Sequence, residues 1–320
     1  MPEGWAAAHT RLALGVNAVT IALAVLLPSP DPALELALLA VLVGLLGLPH
    51  GAVDHLQGRT LFAPRFGRAW PAAFAAAYVG AAALVVTAWF AWPPGLLIVF
   101  LVLATGHFGA EDIAAARLTA PGRATALAES ALRGALPVVL AVTFHPTATA
   151  GHFAALMPAT HTHVVTSVVT ALAPAGLAYL ALLLGYAAAA IRRRRPDLAL
   201  ETAALLGVFA ALPPLLAFAV YFGIWHAPRH SLAVMAEQGA PGPAAGIRSF
   251  VRAAAPLTAV TLILAGAAWW LRRPEAGADA ATLQVVFIGL AALTVPHVGL
   301  AALRERARAH PAGARGLNRS

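Results

Sequence analysis

Apolar runs of about 20 residues, the length that crosses a bilayer as a helix, recur along almost the whole chain. Hydrophobic residues make up 60% of the 320 residues and charged residues only 11%, whereas about a quarter of the residues of a soluble protein are charged. Because only a bilayer tolerates this much apolar surface, the sequence predicts an all-α fold, a polytopic transmembrane helix bundle.

Ten runs can be delimited, with approximate limits 11–28, 33–56, 69–92, 95–117, 124–144, 163–191, 198–212, 214–237, 250–271 and 282–304. The seventh is short, and the Pro213-Pro214 pair behind it could form a kink instead of a turn, so nine spans is the alternative. The first run lacks a small-residue cleavage site and is interpreted as a retained span. Residues 1–310 are predicted to form one catalytic membrane domain, and residues 311–320 a disordered cytoplasmic tail.

Arginine placement predicts the orientation. Arginines cluster before the first span, after every second span and at the end of the chain, whereas most of the intervening loops contain none. Because cytoplasmic loops carry the excess of positive charge, both termini are expected on the cytoplasmic side of the membrane. The formal charge of +8 therefore indicates orientation and not nucleic-acid binding.

Histidines share one level of the predicted bundle. Six of the twelve lie inside predicted spans that all run in the same direction: His50, His55, His107, His226, His230 and His297. Ionisable groups inside hydrocarbon are costly and are candidates for function by default. Independent helices have no reason to agree in depth unless these side chains meet, so the sequence predicts a shared site.

The spacing around these histidines is typical of metal binding. His226 and His230 are four residues apart, which places both imidazoles on one helix face. Asp54 and Glu111 each follow an intramembrane histidine by four residues. A carboxylate there could orient a ligand, directly or through a neighbouring helix, and would offset the charge of a divalent ion.

Other polar groups have structural interpretations. A lone membrane histidine such as His297 more often bridges helices through a hydrogen bond, and His55 lies near the interface, where water could solvate it. Arg229 needs a buried carboxylate partner, for which Asp54, Glu111 and Asp112 are candidates. Glu129 and Arg133, four residues apart, are predicted to form an internal ion pair. The histidines between spans 5 and 6 are expected in a solvated external loop: His145, His152, His161 and His163.

The donor set limits the metal. The chain contains no Cys, so thiolate ligation is excluded, and imidazoles alone favour Fe(II), Zn(II) or Cu(II). The neighbouring helix faces are apolar, with Phe108, Tyr221 and Phe222 close by, and would suit a long apolar substrate drawn from the bilayer. An open iron position in such a chamber suits oxygen chemistry on a lipid.

Four short motifs, PHGAVDH, GHFGAED, WHAPRH and PHVGL, occur in this order. Together they resemble the Brp/Blh family of membrane β-carotene 15,15′-dioxygenases, which occur beside microbial rhodopsins, and the resemblance extends roughly from span 2 to span 10. It implies Fe(II), O2 and β-carotene, with central cleavage to two molecules of retinal that a rhodopsin partner could receive.

The resemblance also implies which residues hold the iron: His50, His107, His226 and His230. The spacing assigns supporting roles to Asp54, His55, Glu111 and His297, and it leaves open whether His55 or His297 touches the metal. This chain departs from the family in its alanine-rich bulk and its long loop between spans 5 and 6. Another carotenoid or an apocarotenoid is therefore an alternative substrate.

Two other classes remain as alternatives. A membrane di-iron desaturase or hydroxylase would carry more histidines, in HxxxH and HxxHH boxes, whereas one HxxxH pair lies in a span here. A proton or metal transporter would distribute polar groups over the full membrane depth and would have broken helices in paired repeats.

Overall fold

The computed structural model describes residues 2–116 and 122–309, and within these ranges the regular structure is entirely helical. This confirms the all-α fold. The α-helices are α1 Glu3–Leu26, α2 Pro32–Leu42, α3 Leu48–Ala52, α4 Asp54–Phe66, α5 Trp70–Ala91, α6 Pro93–Ala116, α7 Arg123–Gly134, α8 Leu136–Phe144, α9 Pro146–Ala155, α10 Thr162–Leu172, α11 Ala175–Arg192, α12 Pro196–Ala211, α13 Pro214–Val220, α14 Ala227–Glu237, α15 Pro243–Ala276 and α16 Ala278–Ala309. The predicted tail, residues 311–320, lies outside the described residues.

The long helices identify a multi-pass membrane protein. In the described part of the chain, six helical stretches are long and apolar enough to cross a membrane: Glu3–Leu26, Pro32–Ala91, Pro93–Ala114, Ala175–Arg192, Pro243–Ala276 and Ala278–Arg308. The pair α7 and α8, bent by 46°, would make a seventh. Pro32–Ala91, at 60 residues, is long enough for two crossings.

The predicted count of ten spans exceeds these six or seven, for local reasons. The predicted spans 33–56 and 69–92 both lie within the single stretch Pro32–Ala91. The seventh predicted run is α12, with only 16 residues. The eighth carries the polar motif WHAPRH and is not among the six stretches.

Two π-helical segments lead into the histidine motifs. Val43–Gly47 precedes α3, which carries His50, and Tyr221–His226 precedes α14, which carries His230. The two segments pack together at Gly47, where an added Cβ would lie 2.3 Å from the Phe222 ring. Single π turns inside α-helices are frequent at functional sites, and here their packing brings the two histidine motifs together.

Histidines donate hydrogen bonds to two backbone carbonyls that have no helical N–H donor, because a proline stands four residues later. Pro228 has no N–H for the carbonyl of Ile224, four residues earlier, and Nε2 of His9 donates to that carbonyl at 2.8 Å. Likewise Nε2 of His145 donates at 2.9 Å to the carbonyl of Phe209, four residues before Pro213. His145 is therefore half-buried and bonded, which differs from the solvated loop position that the sequence predicts.

Helices α6 and α7 contact each other through backbone atoms. A Cβ added at Gly109 would lie 1.9 Å from the carbonyl oxygen of Ser130, and one at Gly134 would lie 1.8 Å from that of Thr105. Small residues permit this close approach between membrane helices. The contact fixes the position of α6, which carries His107.

Gly109→Ala should lower the free energy of unfolding by about 1–3 kcal/mol, because the added methyl group overpacks a backbone contact. Gly106→Ala is the matched control on the same helix, since no atom lies within 4 Å of the added Cβ. The control should be neutral or stabilising by up to about 1 kcal/mol. Denaturant titration of the protein in detergent measures both, and equal effects would contradict the close contact.

Candidate metal centre

Five imidazole rings from four separate parts of the chain meet inside the bundle. Their centroids are 4.9 Å apart for His107–His226, 5.0 Å for His107–His297, 5.1 Å for His230–His297, 5.4 Å for His50–His226 and for His50–His297, and 5.5 Å for His50–His230. Four of these rings belong to the residues that the family resemblance implies as ligands. The fifth, His297, belongs to the residues predicted to support them.

Several nitrogens of this cluster are buried without a hydrogen-bond partner: Nε2 of His107, both ring nitrogens of His226 and of His230, and Nε2 of His297. Leaving one buried polar group unsatisfied costs about 1–3 kcal/mol. The ligand atoms of His50, His107 and His297 all lie within 4.8 Å of one another. Two nitrogens on opposite sides of one ion, each at about 2.1 Å, are separated by about 4.2 Å. The nitrogen donors of the cluster suit a first-row metal ion, and those of His50, His107 and His297 lie close to the separation that one ion allows.

The two carboxylates support histidines on other helices. Nδ1 of His297 donates to Asp54, with its two oxygens at 2.8 and 2.9 Å. Nδ1 of His230 lies 3.3 Å from Oε1 of Glu111, slightly longer than a usual hydrogen bond. The spacing in the sequence pairs these carboxylates with His50 and His107. In the structure, each carboxylate instead contacts a histidine of a neighbouring helix.

Three further contacts complete the surroundings of the cluster. Nδ1 of His50 donates to the carbonyl of Gly47, the last residue of the first π-helical segment. The hydroxyl of Tyr78 donates to Asp54 at 2.8 Å. Tyr78 was not among the predicted site residues, although a tyrosine in an alanine-rich run is itself a signal of a polar role. His55 lies outside the five rings, lines the adjoining cavity and bonds the carbonyl of Ala52 at 3.0 Å.

A buried network of four charges lies beside the centre. Arg229 donates to Asp112 at 3.0 Å and to Glu201 at 2.6 Å, and Arg133 donates to each of the same carboxylates at 3.2 Å. Asp112 was one of the partners expected for Arg229. Glu129 was the expected partner of Arg133, and the structure pairs Arg133 with Asp112 and Glu201 instead.

Glu201 was missed, although a lone glutamate in an apolar run is itself a signal. The network joins α6, α7, α12 and α14, so it fixes the helices that carry His107 and His230 relative to each other. Its two positive and two negative charges balance. The guanidinium of Arg229 also lies 4.7 Å from the ring centre of Trp225.

Asp112→Asn should lower the free energy of unfolding by about 3–5 kcal/mol, because two buried arginines would then share one carboxylate. Asp197→Asn is the matched control, because Asp197 forms a more exposed ion pair with Arg195, 2.8 Å away. This variant should lower the free energy of unfolding by about 0–1 kcal/mol. Thermal or denaturant unfolding of the purified proteins compares them. A loss for Asp112→Asn no larger than that of the control would contradict a structural role for the network.

A long apolar cavity adjoins the histidines. Its volume is about 890 Å³, and His50, His107, His226 and His297 form part of its wall. Along α5 its lining runs from Trp70 to Phe90, which corresponds to about 30 Å of helix. The cavity lies within the size range of sites for large organic ligands, about 300–1,000 Å³. Its shape and lining suit an elongated apolar molecule.

The site thus defines a multi-pass membrane protein with a polyhistidine centre open to an apolar cavity. The sequence profile of a family described as Beta-carotene 15,15'-dioxygenase matches residues 41–303, more than half of the chain, and the chain belongs to this enzyme family.

Two curated relatives agree with that membership. The chain is 29% identical over 327 residues to the "Probable beta-carotene 15,15'-dioxygenase Blh" of Halobacterium salinarum, an alignment that covers 93% of each protein. It is 26% identical over 271 residues to the "Beta-carotene 15,15'-dioxygenase" of an uncultured marine bacterium, 66A03, which covers 80% of this chain and 89% of that protein. No solved structure matches the chain.

Proposed function

We propose that this protein cleaves β-carotene at the central 15,15′ double bond, with O2 and an iron cofactor, to give two molecules of all-trans-retinal. The observation that carries the proposal is the histidine cluster in the wall of a long apolar cavity. A metal at that wall would face the middle of an extended substrate, whereas the cavity gives the rest of the hydrocarbon an apolar environment. The names of the two relatives supply the substrate and the bond.

The proposed iron ligands are His50, His107, His226 and His230, and the proposed supporting residues are Asp54, His55, Glu111 and His297. Imidazole is a suitable ligand for iron, and the unpartnered nitrogens of the cluster support the assignment. When bound, Fe(II) supplies the redox chemistry by which the two oxygen atoms of O2 are added across the double bond. No side chain is needed as a general base.

The protein itself binds, orients and isolates the substrate. Phe218, Phe222 and His226 stack at successive helical turns, with 5.6 Å between neighbouring ring centres and interplanar angles of 9° and 15°. All three rings line the cavity, so a row of aromatic side chains would contact a conjugated substrate as far as the centre. The buried, largely apolar lining excludes water, which would compete for the reactive position.

The surroundings of the reaction are part of the proposal. The enzyme would act in the bacterial plasma membrane with both termini in the cytoplasm, as the arginine pattern predicts. Its substrate would come from the bilayer, and a microbial rhodopsin is the proposed acceptor of the retinal.

Expression in a host that makes β-carotene should bleach the colour and accumulate retinal, approaching two molecules for each carotene consumed, because central cleavage of a symmetric chain gives identical halves. Chromatography with mass detection measures substrate and product. His226→Ala should abolish retinal formation through loss of a ligand, whereas His161→Ala, a histidine remote in sequence from the cluster motifs, should retain it.

Other products would contradict the proposal in distinguishable ways. Hydroxylated or desaturated carotenoids with an intact chain would favour a desaturase or hydroxylase. A longer apocarotenal with a shorter fragment would show an off-centre cut. Unchanged β-carotene in cells that contain iron-loaded protein would exclude the reaction.

A further inference from the structure

We propose that His297 is itself a metal ligand, held in place by Asp54 and Tyr78, so that five imidazoles face the ion instead of four. This inference rests on the metal centre of the proposed function and changes its composition. It gives a definite role to a residue that the sequence lists among the supporting groups without deciding whether it touches the metal.

The position of His297 is the first argument. Its ring lies 5.0 Å from that of His107, 5.1 Å from that of His230 and 5.4 Å from that of His50. Its ligand atom also belongs to the group, with those of His50 and His107, that lies within 4.8 Å. A histidine that only supported a ligand would be expected behind the cluster, whereas His297 lies inside it.

The two ring nitrogens of His297 have the division of roles that a ligand needs. Nδ1 is fixed by Asp54 at 2.8 and 2.9 Å, and Nε2 is buried without a partner. A histidine bound to a metal almost always donates its other N–H to a carboxylate or a backbone carbonyl. Nδ1 of His230 lies 3.3 Å from Oε1 of Glu111 but has no hydrogen-bond partner. The ring of His297 is therefore held more firmly by its carboxylate than the ring of the proposed ligand His230.

The buried charges give a second, independent argument. Asp112 and Glu201 face two arginines, whereas Asp54 and Glu111 face neutral or ionisable histidines. Asp54 is only 2% exposed, and a buried carboxylate needs a compensating charge. A divalent ion bound by neutral imidazoles would compensate the charge of Asp54, and also that of Glu111, whose side chain is 27% exposed. Both carboxylate–histidine pairs would then act on the same ion.

Tyr78 completes the support of His297. Its hydroxyl donates to Oδ2 of Asp54 at 2.8 Å, and it also lies 3.4 Å from the carbonyl oxygen of Leu293 on α16. The carboxylate is therefore held from α5 while it holds an imidazole of α16. The competing explanation is a simple hydrogen bond between Asp54 and His297 that bridges two membrane helices.

Cobalt(II) in place of iron distinguishes these explanations without measuring turnover, because its visible absorption bands report the number and geometry of the ligands. His297→Gly should change the bands of the cobalt protein and weaken metal binding by more than tenfold. Added imidazole should restore both the bands and the affinity. His297→Gln provides a second variant of similar size, with the same change expected.

Two further variants test the roles of the neighbouring groups. Asp54→Asn should keep the coordination number and weaken binding by about 10–100-fold, the effect typical of an orienting group. His161→Ala is the control, a histidine that belongs neither to the five rings nor to the cavity lining, and it should leave the cobalt bands unchanged.

Unchanged bands in His297→Gly, or a lost metal site that imidazole fails to restore, would overturn the inference. Retinal formation by the wild-type protein is measured separately. If the wild-type protein makes retinal while His297→Gly keeps its cobalt bands, only the fifth ligand is excluded. If the wild-type protein makes no retinal, the proposed function fails, whatever the cobalt spectra show.

Discussion

Five imidazoles buried in an apolar helix bundle, several with nitrogens that have no partner, are the constraint on which the rest of the structure depends. Each unsatisfied group opposes folding, and the cost is offset when a metal ion takes the free nitrogens. The rings come from helices far apart in sequence, so an ion among them would join these helices directly. We therefore expect metal binding and bundle stability to be linked.

The surrounding features hold the histidines in a fixed arrangement. The π-helical segments before His50 and before Ala227 pack together at Gly47, and His9 satisfies the carbonyl that Pro228 leaves free. The network of Arg133, Asp112, Arg229 and Glu201 ties together the helices behind the cluster. Such rigid support keeps a metal site in one geometry while an apolar cavity remains open at its side.

The sequence predicts the helical class and the histidines that meet, because hydropathy and the cost of burying ionisable groups act residue by residue. It does not predict which helix supplies each supporting carboxylate. Asp54 bonds His297 and not the nearby His50, and this depends on how helices pack laterally. Glu201 and Tyr78 stand out as polar residues in apolar runs, but their partners, Arg229 and Asp54, also depend on this packing. The span count differs because α12 is too short to count as a crossing and because two predicted spans lie within the one stretch Pro32–Ala91.

The central proposal is that a single iron ion cleaves β-carotene. It is tested most directly by titrating metal-free protein with Fe(II) under anaerobic conditions and then measuring retinal formation after β-carotene and O2 are added. Retinal formation should rise linearly and reach its maximum at one Fe(II) per chain, because all five histidines surround one position. Zn(II), which lacks redox chemistry, should occupy the site without restoring activity. Full activity without metal, or a maximum at two Fe(II) per chain, would contradict a mononuclear iron centre.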